Sequence, residues 1–168
     1  ACSKIREYEN ELSIKSNNDN YDFKKNRLVH AYHDKSDGGL FSCLCEMSFA
    51  GRVGLTLNID LLTIDSYAAD WGDFKIRSEQ VLARRNELTL RALFNEEVGV
   101  VLQTSKNVRA KLLEIFRDCG LGKNIYEIAK FNLKDEISIY RDAKCIYKKP
   151  RSMLQKYWFE TSKNISSL

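Results

Sequence analysis

One short turn constrains this chain more than any other feature of its sequence. The segment His33–Leu40, of sequence HDKSDGGL, joins two apolar stretches. Leu28–His33 has the length and composition of a buried strand, and Leu40–Ala50 those of a helix that is apolar on most sides. Gly38 and Gly39 allow the backbone to turn tightly between them. The sequence therefore predicts a strand, a close turn and a helix in immediate succession.

A turn of this kind can hold a phosphate group and a metal ion. The N–H groups at the start of a helix and the positive end of its dipole attract anions, and glycines let the backbone approach an anion closely. The carboxylates of Asp34 and Asp37 are oxygen ligands of the kind that Mg²⁺ prefers. The spacing matches neither the G-x-x-x-x-G-K-[ST] loop nor the G-x-G-x-x-G fingerprint, so neither standard nucleotide motif accounts for it.

The same residues also have a purely structural interpretation. Asp-Gly is a common turn dipeptide, and Asp37 is placed to cap the helix that follows. We favour this role over an indirect one, in which Asp37 would hydrogen-bond to a ligand of the ion. His33 and Asp34 are neighbours at a strand end, so their side chains leave on opposite faces. They cannot serve as the base and the orienting acid of a Ser–His–Asp triad. A hydrolase centred on Ser36 is therefore disfavoured.

Three ordered stretches resemble the phosphoribosylformylglycinamidine synthases, the large ATP-dependent amidotransferases of purine biosynthesis. The stretches are Ala31–Leu40 with its continuation Cys45–Gly51, Arg85–Gly99, and Trp158–Ser162. They cover most of residues 28–162, whereas residues 1–27 resemble the family poorly. The resemblance implies the carboxy-terminal domain of the second synthetase half, a layered domain of the aminoimidazole ribonucleotide synthetase superfamily.

The resemblance also implies a nucleotide site. Asp34 matches a Mg²⁺ ligand of the family and Ser36 a nucleotide contact, while the amides of Gly38 and Gly39 would receive phosphate oxygens. The implied cofactors are Mg²⁺ and ATP or ADP. The family's other Mg²⁺ ligands, a Glu and an Asn, are expected upstream of residue 1, so this chain alone should bind Mg-ATP weakly. No catalytic residue is assigned.

The activity implied is that of a ligase forming C–N bonds with glutamine as amide donor. It converts formylglycinamide ribonucleotide, glutamine and ATP to formylglycinamidine ribonucleotide. This chain would be an inactive part of that enzyme, and its partners would be the nucleotide and the remaining domains, including a glutaminase domain. Two alternatives stay open: a non-catalytic nucleotide-binding or interaction module, and another superfamily member such as a selenophosphate synthetase-like enzyme.

Composition narrows the class of protein. With 168 residues, of which 43% are hydrophobic, the chain can build one domain with its own core. Its net charge of +4 is spread along the sequence. Short basic groups such as Arg84–Arg85 and Lys148–Arg151 lack interleaved aromatic residues, so we expect surface ion pairs and no nucleic-acid interface. No apolar run approaches a membrane span, and no secretory segment is evident, which indicates the cytoplasm.

The five cysteines are odd in number and form no C-x-x-C pair. Cys43 and Cys45 lie two apart on a predicted helix and point to nearly opposite sides, which disfavours joint metal ligation. We therefore expect all five to be free thiols in a reducing compartment.

The pattern predicts an α/β (α+β) fold, a layered domain of helices and a mixed sheet. Residues 1–27 are expected to be a polar arm and residues 28–168 the domain. Further strands are predicted at Val53–Ile59, Val98–Gln103, Tyr126–Phe131, Glu136–Tyr140 and Lys144–Tyr147, and further helices at Glu79–Asn95, Val108–Cys119 and after Pro150.

Three more specific expectations follow from these elements. The apolar run Val98–Gln103 predicts a central strand covered on both faces. Asn95–Glu97 should follow a helix end, where acidic groups oppose the dipole; a polar contact and an exposed turn are both consistent with it. Six apolar residues are expected to be buried together: Leu44, Met47, Val100, Leu102, Leu112 and Phe116.

Overall fold

The structure, a computed structural model, describes residues 2–15, 27–65 and 78–166. In chain order its elements are α1 (Cys2–Lys15), β1 (Ala31–Asp34), α2 (Gly39–Gly51), β2 (Gly54–Asn58), α3 (Ser78–Phe94), β3 (Val100–Gln103), α4 (Arg109–Asp118), β4 (Ala129–Asn132), β5 (Glu136–Arg141), β6 (Lys144–Pro150) and α5 (Arg151–Ser166). The predicted mixture of helices and strands is confirmed. None of these described helices is long and apolar enough to cross a membrane.

The chain divides into two compact units. The first unit contains Ala1–Asp34 and Val100–Tyr126, and the second contains Lys35–Gly99 and Glu127–Leu168. Each unit has its own sheet, because β1 and β3 form one sheet and β2, β4, β5 and β6 form the other. The division of the chain at residue 27 stays a prediction.

The first unit is built around a small cluster of buried residues. Leu28 and three residues of the α4 region form it, and side chains of α1 pack against it. The buried members are Leu28, Val108, Leu112 and Ile115, with Ile5, Tyr8, Val29 and Phe116 around them. Helix α4 ends at the predicted glycine: Gly120 has φ +76°, and the N–H of Leu121 donates to the carbonyl of Phe116 at 2.9 Å. This is the Schellman arrangement, which satisfies a carbonyl at the helix end.

The expectation of a central strand at Val98–Gln103 is wrong. The strand β3 begins at Val100, is 4 residues long, and among the described strands pairs only with β1, with Asp34 opposite Val100. Val100 is 50% exposed, and Val98 lies wholly in solvent before the strand begins. A continuous apolar run has no periodicity that distinguishes a covered face from an open one, and a two-stranded ribbon consists of edges only.

The second unit contains a mixed sheet of order β4-β2-β5-β6. Strand β2 runs parallel to β5 and antiparallel to β4, and β5 runs antiparallel to β6. The alternation predicted for Val53–Ile59 is confirmed at its core, since Leu55, Leu57 and Ile59 are buried while Asn58 is exposed. The three strands predicted after residue 125 are also present: β5 and β6 begin as predicted and extend further, whereas β4 begins and ends later than predicted.

The turn between β5 and β6 has a left-handed backbone conformation that its sequence does not predict. Asp142 and Ala143 have φ +53° and +58°, the type I′ geometry in which glycine or asparagine is usual. Side chains from elsewhere stabilise it: Asp60 Oδ1 accepts from the Asp142 N–H at 2.7 Å, and the Asp142 carboxylate pairs with Arg85. Tertiary contacts thus replace the local preference.

The helices of the second unit pack on one another and on the sheet. Helix α2 contacts α3 and α5, and α5 contacts β5 and β6. As predicted, α2 is largely buried, through Leu40, Cys43, Leu44, Cys45 and Phe49. On α3, Leu93 is buried (5% exposed), whereas Leu90 (59%) and Phe94 (48%) face solvent, so these three residues do not share one buried face.

The predicted cluster of six apolar residues is also wrong. Leu44 and Met47 belong to the second unit, whereas Val100, Leu102, Leu112 and Phe116 belong to the first. Leu44 and Leu112 are each buried, but in different cores. Helical and strand periodicity marks apolar faces, yet it does not say which faces meet.

Helix α2 begins where its backbone meets the end of α3. Gly39 has φ +68°, and a Cβ on it would lie 2.7 Å from the carbonyl carbon of Phe94 and 2.9 Å from the carbonyl oxygen of Leu93. Both neighbours are backbone atoms, which cannot rotate away as a side chain can. Only glycine permits this approach.

We expect Gly39→Ala to lower the free energy of unfolding of the second unit by about 3 kcal/mol, since a left-handed backbone costs an L-residue roughly 1–2 kcal/mol and overpacking roughly 1–3 kcal/mol. The matched control is Gly51→Ala at the other end of α2, where a Cβ would meet only a side-chain methyl of Val53, at 3.4 Å. Urea unfolding followed by tryptophan fluorescence measures both. Equal midpoints for the two variants would contradict the steric argument.

The four cysteines whose side chains the structure describes are free thiols, as predicted. Cys43 and Cys45 are buried and Cys145 is exposed, while the side chain of Cys2 lies outside the described residues. Burial, reinforced by the negative charge of Glu46, raises the pKa of Cys45 to about 12. At neutral pH this thiol is therefore protonated as well as inaccessible, and it is a poor nucleophile.

Alkylation should separate these thiols. At about pH 8, far below the raised pKa of Cys45 (about 12), iodoacetamide should modify Cys145 in the native chain and leave Cys45 unmodified. Peptide mass spectrometry after a short exposure reads both sites, and urea-denatured chain is the control in which both react. Equal labelling of Cys45 in native and denatured protein would show that this thiol is not buried in the folded chain.

Candidate functional site

The predicted phosphate-binding turn opens the second unit, where Lys35–Gly38 leads into α2. Gly38 has φ +78° and Gly39 φ +68°, so two successive residues adopt the left-handed conformation. A Cβ on Gly38 would also lie 2.1 Å from the hydroxyl oxygen of Ser42. Both glycines are therefore needed for the turn, as the sequence suggests.

The segment that follows α3 supports this turn from the other side. The N–H of Lys35 donates to the carbonyl of Gly99 at 2.8 Å. The N–H of Gly38 donates to Oε1 of Glu96 at 2.9 Å. The turn is thus held at Lys35 by a backbone hydrogen bond and at Gly38 by the carboxylate of Glu96.

Glu96 is the residue of this site to which sequence reasoning gave no role. Of the choices left open for Asn95–Glu97, the structure shows a polar contact for Glu96, and the side-chain amide of Asn95 donates to Glu97. The signal was an acidic group just past a helix end, where the dipole disfavours it. Its partner lies 58 residues away in the sequence, so no local pattern could identify it.

Asp37 does not cap α2, and the sequence-based preference for that role is wrong. The N-cap residue is Gly38, and its geometry is left-handed. Asp37 stands one residue further out and is exposed. A local capping oxygen usually comes from the side chain of the N-cap residue itself, and Gly38 has no side chain.

The amides of the two glycines already have partners within the protein. Gly38 donates to Glu96, and the N–H of Gly39 donates to the carbonyl of Ser36 at 2.9 Å. The next amides of the first turn, those of Leu40 and Phe41, precede the helix's own i→i−4 bonds. Ser36 itself is exposed. The turn therefore offers an exposed hydroxyl beside the start of a helix.

Asp34 is the last residue of β1 and belongs to the first unit, whereas Ser36, Gly38 and Gly39 belong to the second. Its carboxylate accepts a hydrogen bond from the hydroxyl of Tyr32, two residues earlier on the same face of the strand. Exposure alternates along β1, with His33 half-buried and Asp34 exposed. The two side chains thus leave on opposite faces, which agrees with the argument against a Ser–His–Asp triad.

Metal binding by this chain would rest on few ligands. Within residues 2–15, 27–65 and 78–166, no group of three or more His, Cys, Asp and Glu side chains could hold a metal ion. The Asp34 carboxylate is a hard oxygen donor on an exposed residue, which suits Mg²⁺. One carboxylate by itself is fewer ligands than Mg²⁺ normally takes from a protein and its substrate.

The basic pair Arg84–Arg85 forms the expected ion pairs. Arg84 lies 3.3 Å from Asp65 (Nε to Oδ2) and 3.1 Å from Glu87 (Nη1 to Oε2), and Arg85 pairs with Asp142. These contacts raise the pKa of Arg84, first through its hydrogen bond with Glu87. The charges of this pair are thus engaged with carboxylates.

The stretch Trp158–Ser162 has a packing role at its first residue. The indole N–H of Trp158 donates to Oε1 of Glu46 at 3.2 Å, and its ring lies 6.0 Å from that of Phe49 at 54°. Both partners are on α2, so this residue ties α5 to the helix that follows the glycine turn. The side chains of Thr161 and Ser162 lie outside the described residues.

Comparison with known sequences identifies a family. The model of the family described as AIR synthase related protein, C-terminal domain, matches residues 17–142. A curated relative, phosphoribosylformylglycinamidine synthase of Schizosaccharomyces pombe (strain 972), is 39% identical over 140 residues. That match covers 82% of this chain and 9% of the relative, so the chain spans less than a tenth of the relative's length.

Comparison with solved structures shows the same fold. The structure of Thermotoga maritima PurL complexed with ATP matches with a TM-score of 0.52 at 16% identity, over 76% of this chain and 19% of that one. PurL of the same organism complexed with FGAR matches with a TM-score of 0.51 at 18% identity, over 76% and 18%. With the family match over most of its length, the chain belongs to the AIR synthase related protein, C-terminal domain family.

Proposed function

We propose that this chain is part of a phosphoribosylformylglycinamidine synthase, a ligase that makes formylglycinamidine ribonucleotide with ATP and with glutamine as amide donor. The observation that carries the proposal is the 39% identity over 140 residues to the Schizosaccharomyces pombe enzyme. Since the match covers 9% of that relative, the activity belongs to a larger protein. A glutaminase domain as partner and a cytoplasmic location are parts of the same proposal.

Within that enzyme, the chain contributes part of a Mg-nucleotide site. The left-handed glycines place the start of α2 and the exposed Ser36 side by side, and a helix start favours phosphate through its amides and dipole. A protein of the same fold, Thermotoga maritima PurL, has been solved with ATP and with ADP. These observations support ATP or ADP as the ligand.

Each residue has a distinct part in this site. The Ser36 hydroxyl donates a hydrogen bond to a phosphate oxygen, and the amide N–H groups of the first turn of α2 donate to the same phosphate. Because the amides of Gly38 and Gly39 are engaged with Glu96 and Ser36, the glycines act by letting the backbone approach the phosphate closely. Asp34 provides one carboxylate for Mg²⁺, which neutralises phosphate charge when bound.

Ligases of this kind activate an amide oxygen by phosphoryl transfer, after which ammonia displaces phosphate. Most of that catalysis comes from positioning and from electrostatic neutralisation. The part of this chain is therefore to bind and orient a nucleotide, and we assign it no proton-transfer residue. A non-catalytic nucleotide-binding module is the second candidate, favoured by the internal hydrogen bonds that make the turn stable by itself.

The first test is turnover. Residues 1–168 alone should show no synthetase activity with formylglycinamide ribonucleotide, ammonia and Mg-ATP, because the described residues contain no group of three or more side chains that could hold a metal ion. ADP release is measured with a coupled assay, and the Schizosaccharomyces pombe enzyme is the positive control. ADP release that depends on the ribonucleotide would overturn the assignment of this chain as a part of the site.

The second test compares Asp34→Ala and Ser36→Ala in the complete protein. Asp34→Ala should lower nucleotide retention more, because charge-assisted contacts are about twice as strong as neutral ones, and loss of one neutral hydrogen bond weakens binding roughly three- to tenfold. Purified variants are denatured and the released nucleotide is quantified by chromatography. Asp37→Ala, which removes another exposed carboxylate of the same turn, is the control.

Retention by Asp34→Ala equal to that of the parent would show that Asp34 is not a metal ligand. A loss in Asp37→Ala as large as that in Asp34→Ala would show that the effect is one of net charge and not of ligation.

A further inference from the structure

Helix α2 receives its cap from a distant part of the sequence. Its N-cap residue, Gly38, has no side chain, and the carboxylate of Glu96 instead accepts from the Gly38 N–H at 2.9 Å. This places a negative charge at the positive end of the helix dipole, where it is stabilising. The same charge is unfavourable just after the C-terminus of α3. The favourable contact with α2 therefore offsets the electrostatic cost of an acidic side chain at this position.

The contact acts on the part of the turn whose residues have the greatest intrinsic backbone freedom. Two adjacent glycines have more backbone freedom than any other pair of residues. Lys35 is fixed by its bond to Gly99, and Gly39 by its contact with the backbone of Phe94. Gly38 lies between these two points, and Glu96 is the side chain that bonds to its amide.

We propose that Glu96 is a positioning residue of the nucleotide site, an inference that rests on the function proposed above. Its carboxylate holds Gly38 in the left-handed conformation, so that the Ser36 hydroxyl and the first-turn amides of α2 face one phosphate. Loss of the contact lets the turn populate other conformations. The apparent affinity for nucleotide then falls in proportion to the fraction of molecules whose turn keeps the binding conformation.

Positioning differs from competition, the other role open to a carboxylate at this place. A competitor would occupy the amides that receive phosphate. Glu96 bonds to the N-cap amide of Gly38, one residue before α2 begins, and the first-turn amides of Leu40 and Phe41 lie beyond that bond. The geometry therefore favours a positioning role for Glu96 over competition with phosphate.

The test uses three substitutions of Glu96 in the complete protein. Glu96→Ala removes the acceptor, Glu96→Gln keeps an acceptor oxygen without the charge, and Glu96→Asp keeps the charge but shortens its reach. Glu97→Ala is the matched control, because Glu97 is a neighbouring exposed carboxylate that accepts from Asn95. Calorimetric titration with ADP and Mg²⁺ gives the affinity, and hydrogen exchange of the peptide spanning residues 36–40, without nucleotide, gives the mobility of the turn.

Glu96→Ala and Glu96→Asp should both speed exchange in the turn and weaken ADP binding by roughly fivefold, the factor that corresponds to the typical free energy of a helix-cap contact. Glu96→Gln, which keeps an acceptor oxygen but loses the charge, should lie between Glu96→Ala and the parent in both measurements, and Glu97→Ala should leave both unchanged. Melting temperatures, measured in parallel, ensure that every variant is folded during titration.

Three results would overturn the inference. Faster exchange in Glu96→Ala with unchanged affinity would make Glu96 a structural cap only. Tighter ADP binding in both Glu96→Ala and Glu96→Gln would make it a competitor of phosphate. Absence of ADP binding by the parent protein would remove the proposed nucleotide site itself, and the exchange data would still report whether Glu96 holds Gly38.

Discussion

The close approach of the start of α2 to the end of α3 is the constraint on which the candidate site depends. Gly39 meets the backbone of Leu93 and Phe94 at a distance that leaves no room for a Cβ. Once these backbones are in contact, the residues just before α2 and just after α3 run side by side. The bonds from Lys35 to Gly99 and from Gly38 to Glu96 follow from this proximity.

Electrostatics at the two helix ends reinforce the same arrangement. An acidic residue after a helix C-terminus opposes that helix's dipole, whereas an acidic residue at a helix N-terminus is favourable. Glu96 follows α3 in sequence but contacts the start of α2 in space. One carboxylate can therefore offset its local cost with a tertiary gain, and the gain exists only while α2 and α3 are packed together.

The described residues near the glycine turn offer few metal-ligating groups. Asp34 offers one carboxylate, and the described residues contain no cluster of three or more metal-ligating side chains. Mg²⁺ normally requires several oxygen ligands in near-octahedral geometry. Under the function proposed above, the remaining ligands would therefore be supplied by water, by the nucleotide or by other parts of a larger protein, of whose curated relative this chain spans 9%.

The sequence by itself determined the family, most of the elements and the local geometry of the turn. Strand β2, helix α2 and the stop at Gly120 follow from periodicity and from the conformational freedom of glycine, which act over a few residues. The tertiary structure alone decided that β3 is an edge strand, that the N-cap residue of α2 is Gly38 and not Asp37, and that Glu96 caps this helix. These features depend on which distant backbones meet. The acidic group just past α3 was a local sign for Glu96, but no local pattern identifies a partner 58 residues away.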